Sequence, residues 1–219
     1  MIQESTLNFL SKLSKNNNKA WFDENRGLYE TAKSNIVSFT GELIKQYATI
    51  DASIGHLKPS DCLFRINRDV RFSKNKEPYK TNFGISISKG GKKGALAGYY
   101  VHIEPGKAFI GGGMYMPMGD GLQKIRQEID YSLKDFQAIL KSKAFKSSYG
   151  DLDYSDQLSR IPKGYEKDNE AEAYLRLKSF VALRPLKNEE LTSKQFVKTC
   201  VKHFEALMPL VEFLNTAVG

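Results

Sequence analysis

A period-two alternation near the middle of the chain constrains the fold more than any other feature. In residues 98–104 one set of positions is apolar or aromatic and the other is polar or amphipathic: Tyr99, Val101 and Ile103 against Tyr100, His102 and Glu104. Side chains that alternate in this way point to opposite faces of a strand, so one face is buried and the other is wet or functional. The residues Glu104-Pro-Gly-Lys107 that follow are typical of a tight hairpin turn. The sequence therefore predicts an antiparallel hairpin here.

Three further segments extend this hairpin into a sheet: residues 62–67, 82–88 and 107–116. Each alternates, or carries enough β-branched and aromatic residues to be read as a strand. The short connections between them favour antiparallel pairing, because parallel strands need long crossovers. We therefore predict an antiparallel meander of about four strands, with a basic loop between the first two.

Helical periodicity brackets this sheet. Apolar residues recur every three to four positions in residues 1–60 and again in residues 119–219. Asn17 or Asn18 is expected to cap a long second helix that stops before Asp51. Hydrophobic residues make up 41% of the 219, which suffices for a sizeable core, and no linker or repeat divides the chain. We predict a single α+β domain in which N- and C-terminal helices (residues 1–60 and 119–219) pack on one face of the sheet formed by residues 61–118.

The net charge is regional. The whole chain carries +8, and residues 61–118, with ten Lys/Arg against four Asp/Glu, supply +6 of it. Within that region the segment 65–81 combines three arginines and three lysines with two acids, and places aromatic residues between them. A cluster of this kind indicates an anionic partner, since planar guanidinium groups bind oxyanions in a two-pronged manner.

The leading hypothesis is binding of a phosphate-bearing small molecule at this basic loop, with turnover of that molecule as a further option. The residues expected to contact the ligand are Arg65, Arg68, Arg71, Lys76, Tyr79, Lys80 and Thr81. The arginines would grip the anion, the lysines neutralise it, and Tyr79 stack on or hydrogen-bond the rest. Asp69 would orient an arginine or act as a base. Whether any reaction follows binding stays open at this point.

The alternation also predicts which loop side chains are buried. It assigns Phe64, Ile66, Val70 and Phe72 to the core. Arg68 falls on the same face, so it needs a partner, for which Asp69 or an acid from a helix is expected. Two alternatives to the phosphate site remain open. One is nucleic-acid binding, with Phe72, Tyr79 or Tyr100 stacking on bases. The other is an interaction module whose arginine–acid network only stabilises the fold.

Other chemistry is less well supported by the sequence. His102 shares a strand face with Tyr100 and Glu104 and is a weak candidate for a catalytic base. Three histidines and two cysteines at unrelated spacings do not make a metal site, and no motif implies a cofactor. The glycines at 111–113 would bring backbone close to a phosphate, or allow a strand end to bend. With no signal peptide and no apolar run near ~20 residues, a cytoplasmic protein is expected.

Several motifs occur in the order found in one known family. They are Trp21-Phe22-x-x-Asn25-Arg26-x-x-Tyr29, Arg68-Asp69-x-Arg71-Phe72-Ser-Lys74-x-Lys76-x-Pro78-Tyr79-Lys80-Thr81, Tyr99-Tyr100-x-His102-x-Glu104-Pro-Gly106, Gly111-Gly112-Gly113-Met114-Tyr115-x-Pro117, Pro162-Lys-Gly164-Tyr165 and Lys178-Ser179-Phe180. The chain resembles the bacterial and fungal family named domain of unknown function number twenty-four sixty-one. The resemblance covers nearly the whole chain and implies a single α+β domain, but no established activity, cofactor or catalytic residue. Asn75 stands where family members often carry Asp.

Overall fold

The predicted α+β class is confirmed. A computed structural model describes residues 1–219, and it contains one open antiparallel sheet whose four strands follow each other in chain order, with helices packing on the sheet. The strands are β1 (Phe83–Ile87), β2 (Gly98–Ile103), β3 (Phe109–Met114) and β4 (Phe180–Pro185).

Ten helices accompany the sheet. They are α1 (Glu4–Lys15), α2 (Lys19–Glu24), α3 (Arg26–Tyr47), α4 (Pro59–Cys62), α5 (Gly121–Tyr131), α6 (Leu133–Lys141), α7 (Lys143–Tyr149), α8 (Glu172–Leu175), α9 (Asn188–Thr192) and α10 (Phe196–Val218). None of them is long and apolar enough to cross a membrane.

The first and last strands differ from the sequence prediction. Residues 62–67 are not a strand of the sheet, because Cys62 ends the short helix α4 and the residues after it form only isolated bridges, Leu63 with Ile85 and Asn67 with Tyr79. Residues 180–185, which the sequence analysis assigned to the helical C-terminal region, form β4 instead. The apolar part of β4 is buried on both faces, so it shows no alternation from which a strand can be recognised.

The predicted long second helix is interrupted at Asn25. Asn18 caps α2 as expected, since its side chain accepts a hydrogen bond from the amide of Trp21 at 3.0 Å. Seven residues later the Asn25 side chain donates to the carbonyl of Trp21 at 2.9 Å, and α2 ends. Asparagine competes in this way with the helical backbone, which explains why one apolar stripe is carried by two helices.

Internal packing divides the chain into two compact units, each made of three segments: Met1–Lys93, Tyr100–Ile110 and Pro185–Val201 in the first, and Gly94–Tyr99, Gly111–Arg184 and Lys202–Gly219 in the second. In the first unit Phe39 stacks on Phe196, with ring centroids 5.0 Å apart. In the second, Phe136 packs edge-on against Tyr174 at 5.1 Å. The single domain predicted from sequence stays a prediction.

The three glycines of β3 are explained by close backbone packing in the second unit. A Cβ on Gly111 would collide with the carbonyl of Ala182, and one on Gly113 with the carbonyl of Phe180. Gly113 also has φ +113°, a conformation that favours glycine. These residues therefore let neighbouring strands approach each other, and they do not form a phosphate-binding loop of the kind considered above.

Candidate functional site

The basic segment forms an irregular antiparallel ribbon that leads into β1. Phe64 N donates to the carbonyl of Gly84 at 3.2 Å, and Lys80 N donates to the carbonyl of Ile66 at 2.8 Å. Arg68 N closes the ribbon through the carbonyl of Pro78 at 2.9 Å. Residues beyond this bond, 69–77, form the tip of the loop. The base of the loop is thus held by backbone hydrogen bonds, while its tip must be stabilised by side chains.

Tyr79 is part of the core. Its ring is only 7% exposed and stacks on Phe22, with centroids 4.0 Å apart. The side-chain amide of Asn17 pairs with the Tyr79 backbone on both sides: Asn17 Nδ2 donates to the carbonyl at 2.9 Å, and Tyr79 N donates to Asn17 Oδ1 at 3.1 Å. The ring is packed against an aromatic neighbour, which disfavours its stacking on a ligand, and the alternative contact through a hydrogen bond stays a prediction.

The loop tip binds its own arginines. Asp69 holds Arg71 in a two-pronged ion pair, with oxygen–nitrogen distances of 2.7 and 3.0 Å. Those hydrogen bonds lower the pKa of Asp69, which makes it a poor base. Asp69 orients Arg71 through the same bonds, and orienting an arginine is the other role predicted for it. Arg68 donates to the carbonyl of Glu77 at 3.0 Å and lies 3.9 Å from the Glu77 carboxylate. Its partner is therefore Glu77, and the expectation of Asp69 or a helix acid is wrong.

Lys76 is also engaged within the loop, since its ammonium donates to the carbonyl of Val70 at 3.0 Å. Phe72, which the alternation assigned to the core, is 96% exposed, and the guanidinium of Arg71 lies 5.8 Å from its ring centre. The assignment fails because the strand-like pairing ends at Arg68, so the alternation no longer applies. It also fails for Phe64, which is partly exposed, and holds for Ile66, which is buried.

Two cations at the base of the loop make no ion pair with a carboxylate. Arg65 is exposed and makes neither a hydrogen bond nor an ion pair within the protein. Lys80 is half-buried, and its ammonium lies 5.2 Å from the centre of the Phe64 ring. Burial first, and then the positive charge of Arg65, lower the pKa of Lys80. Of the predicted contact residues, these two have cationic groups that remain available to a ligand.

A half-buried polar row lies on β2, where the alternation predicted it. His102 Nε2 bonds Glu104 at 3.0 Å, and His102 Nδ1 lies 3.4 Å from the Tyr100 hydroxyl. Thr81 donates from its hydroxyl to Glu104 at 2.7 Å. Although burial raises the pKa of Glu104, its hydrogen bonds with His102 and Thr81 lower it overall. Burial and the charge of Glu104 raise the pKa of Tyr100, so that hydroxyl stays protonated.

This row resembles an acid–base relay in its order of groups. Because ionised Glu104 only accepts hydrogen bonds, Nε2 of His102 carries the proton and Nδ1 keeps a lone pair. The Tyr100 hydroxyl and the Asn82 amide face this lone pair at 3.4 Å, so a ligand hydroxyl that displaced them would give its proton to Nδ1, and Glu104 would stabilise the imidazolium that results. No group of three or more His, Cys, Asp or Glu side chains is placed to hold a metal ion.

Three residues of the site were not found from the sequence. Phe109 stacks on His102 with centroids 4.7 Å apart and an angle of 6° between the rings. Asn82 places its amide 3.4 Å from His102 Nδ1. Phe64 lies 6.4 Å from the ring of Tyr100 and so joins the β2 row to Lys80. The outward position of Phe109, next to a hairpin turn, was the one signal that could have identified it.

The comparison with known families agrees with the motifs. A family described as conserved hypothetical protein (DUF2461) matches residues 5–213. The chain belongs to this family. No curated protein and no solved structure matches the chain. Because the family description names no activity, a function has to be argued from the side chains themselves.

Proposed function

We propose that this protein binds a phosphate-bearing small molecule at the base of the basic loop, on a surface that we call the Lys80 site. The site comprises Phe64, Arg65, Lys80, Tyr100 and His102. The observation that carries the proposal is the pair of neighbouring cations, Arg65 and Lys80, with no carboxylate bound to either.

Two like charges that sit close together destabilise each other, and partial burial of one of them raises the cost. A bound phosphate would remove both penalties, because it supplies two negative charges and several acceptor oxygens. Arg68, Arg71 and Lys76 are already bound within the loop. They would support the site by fixing the loop, and Thr81 would support it by holding Glu104.

The neighbouring groups suit the remainder of such a ligand. The rings of Phe64 and Tyr100 offer a partly exposed aromatic surface against which a base or sugar can pack. The His102–Glu104 pair lies beside that surface and offers a general base. This arrangement is suited to deprotonating a hydroxyl of the bound molecule, and so to phosphate transfer or hydrolysis as well as to binding.

A thermal-shift experiment tests the proposal directly. Nucleotides, sugar phosphates and coenzyme A would be screened against the wild type and against Lys80→Gln and Arg65→Gln. Lys74→Gln is the matched control, because Lys74 is an exposed lysine of the same loop. We expect one class of phosphate to raise the Tm of the wild type and of the control, and to lose most of that effect in the two variants. Equal shifts in all four proteins would contradict the proposal.

Nucleic-acid binding is a second candidate, and one observation favours it. Phe72 is almost fully exposed at the tip of the basic loop, with Arg71 beside its ring. Exposed aromatic rings among cations are typical of surfaces that stack on single-stranded bases. Fluorescence anisotropy with a labelled oligonucleotide separates the candidates. Binding that falls steeply with salt and is weakened by Phe72→Ala supports this function, whereas the Lys80 site should be less salt-sensitive.

A further inference from the structure

A cavity in the second unit is lined by a buried arginine. The cavity has a volume of ≈ 460 Å³, within the range of about 300–1,000 Å³ that is usual for small-molecule sites. One wall is a single face of α5, which carries Gln123, Arg126, Gln127 and Asp130. The turn 162–165 supplies further lining residues, and this turn is the Pro-Lys-Gly-Tyr motif found in the sequence.

The charge of Arg126 is not compensated by the protein. The residue is 9% exposed, and its Nη2 donates to the carbonyl of Leu177 at 2.9 Å. Nε is buried without a hydrogen-bond partner, and no carboxylate lies within ion-pair distance of the guanidinium. Burial lowers the pKa of Arg126, as expected for a cation removed from water. A buried charge without a counter-ion is costly, so an arginine in this state is best explained by an anion that binds there.

The remaining lining groups restrict which anion would fit. Arg126 and Lys163 are cations and Asp130 is the carboxylate among the lining residues, so the net charge of the cavity wall is +1. One oxygen of Asp130 accepts a hydrogen bond from Asn169 at 2.6 Å, which leaves the other oxygen for a ligand. A polyphosphate would be repelled by Asp130, whereas a single carboxylate would match the wall.

The turn 162–165, which lines the cavity with α5, has a conformationally restricted backbone. Gly164 has φ +95°, which favours glycine, and Pro162 restricts the backbone two residues earlier. Tyr165, which follows, is half-buried. Burial and the charge of Asp130 raise the pKa of Tyr165 while Arg126 lowers it, so its hydroxyl is protonated and close to both groups. It can donate a hydrogen bond to an anion held by Arg126.

We propose that this cavity binds a small organic monocarboxylate that also carries an amino or hydroxyl group. The guanidinium of Arg126 binds the carboxylate, Lys163 adds a second positive charge, and Asp130 accepts the hydrogen bond of the amino or hydroxyl group. α-Amino and α-hydroxy acids satisfy all three contacts. The proposal uses none of the residues of the Lys80 site and does not depend on it.

The first test is a thermal-shift panel of the proteinogenic amino acids with lactate and glycolate, each paired with its amide where one exists, and with phosphate and pyrophosphate. We expect a subset of the α-amino or α-hydroxy monocarboxylates to raise the Tm of the full-length protein, and their amides to have no effect. Silence of every carboxylate, or stronger stabilisation by pyrophosphate than by any of them, would overturn the proposal.

Variants then place the effect in the cavity. Lys163→Gln should weaken the active carboxylate about threefold to tenfold, because it removes an exposed charge. Lys167→Gln is the matched control, since Lys167 is an exposed lysine just beyond the same turn, and it should bind like the wild type. Arg126→Lys keeps the charge but loses the fork, and should weaken binding by about tenfold or more. Equal affinity in Lys163→Gln and the wild type would argue against the cavity.

If Arg126→Lys folds poorly, NMR of the Arg126 side chain in the wild-type protein tests the same contact. The Nε–H resonance of Arg126 in an isotope-labelled protein should shift when the active carboxylate is added, and Tyr165→Phe should weaken the same ligand. Lys80→Gln should leave both results unchanged, so failure of the Lys80 site and failure of this cavity are distinguishable. A titration that shifts other resonances and leaves the Arg126 signal in place would contradict the proposal.

Discussion

The basic loop and the α5 cavity hold their arginines in opposite electrostatic states. In the loop, the Arg71 side chain is 76% exposed and Asp69 binds it through two hydrogen bonds. On α5, Arg126 is buried, and the protein supplies one carbonyl and no carboxylate. Arg68 and Arg71 of the loop pair with nearby carboxylates, whereas the guanidinium of Arg126 in the cavity has no carboxylate partner.

This difference shows that a high density of charged residues does not by itself make a binding site for an anion. Charges that cluster in sequence attract attention, but in an exposed loop they are screened by water and can pair locally at little cost. A single buried cation contributes little to a charge count, yet its environment leaves it with an unmet requirement for an anion. In the loop the same reasoning selects Lys80, which is half-buried with Arg65 as a charged neighbour, whereas Lys74 also makes no ion pair but is exposed.

The largest loss of stability is expected at Asn17, whose side chain holds the backbone of the basic loop. Asn17→Ala removes two hydrogen bonds to the part-buried backbone of Tyr79, and we expect it to lower the free energy of unfolding by about 2 kcal/mol. For a chain of this size that corresponds to a fall in Tm of about 4–8 °C. Urea denaturation measures it, with Asn16→Ala as the control, because the Asn16 side chain bonds only an exposed carbonyl within α1. If both variants have equal stability, the loop is held by its ion pairs instead.

The second effect contrasts Arg68 with Arg126. Arg68→Ala removes hydrogen bonds to Glu77 and Ser73 from a largely buried side chain, so a loss of about 1 kcal/mol is expected. Arg126→Met removes one hydrogen bond together with an uncompensated charge, so its stability should change by less than that of Arg68→Ala. Denaturant midpoints of the two variants test the contrast. A larger loss in Arg126→Met would mean that the protein compensates its charge after all.

A third effect concerns pH. The pKa of Glu104 is lower in the folded protein than its ordinary value near 4.5, so the folded state binds fewer protons there than the unfolded state. Its contribution, about 1 kcal/mol or less, is present above that ordinary value and is lost as pH falls through the folded pKa. Tm measured between about pH 6 and pH 3 should therefore fall less in Glu104→Gln than in the wild type. Parallel curves would show that Glu104 gains nothing from His102 and Thr81.

The smallest effect is expected at the most exposed arginine. Arg71→Ala removes an ion pair between two solvent-exposed side chains, so no measurable change in Tm is expected. If the arginine–acid network of the loop served only to stabilise the fold, this substitution would instead unfold the protein at a clearly lower temperature. Differential scanning calorimetry of Arg71→Ala beside Arg68→Ala distinguishes the two outcomes, since Arg68 is the more buried of the pair.

The sequence predicted those parts of the fold that show a repeating pattern. The hairpin of β2 and β3 and the polar row Tyr100–His102–Glu104 follow from alternation, and α1 from its apolar stripe. β4 was missed because a strand that is buried on both faces has no alternation. The break at Asn25 was missed because it depends on one side-chain hydrogen bond.

The candidate sites depended more on contacts that no pattern encodes. The sequence identified the basic segment and the lysine at its base, but not that Phe22 covers Tyr79 or that Phe64 lies against Lys80. Arg126 follows the buried Ile125 on α5 and reads as a solvated residue at the border of an apolar stripe. Its burial results from packing against the segment that contains Leu177, which is 51 residues away in the chain.

The pairing of Asn17 with Tyr79 also has a consequence for association between molecules. The Tyr79 amide and carbonyl point away from the ribbon partner, toward the position that a further strand would occupy. Exposed strand edges of this kind recruit strands from other chains and are starting points for aggregation. The side-chain amide of Asn17 imitates the hydrogen-bonding groups of one strand residue and occupies that edge. This one asparagine therefore fills the position at Tyr79 where a strand of another molecule would otherwise pair.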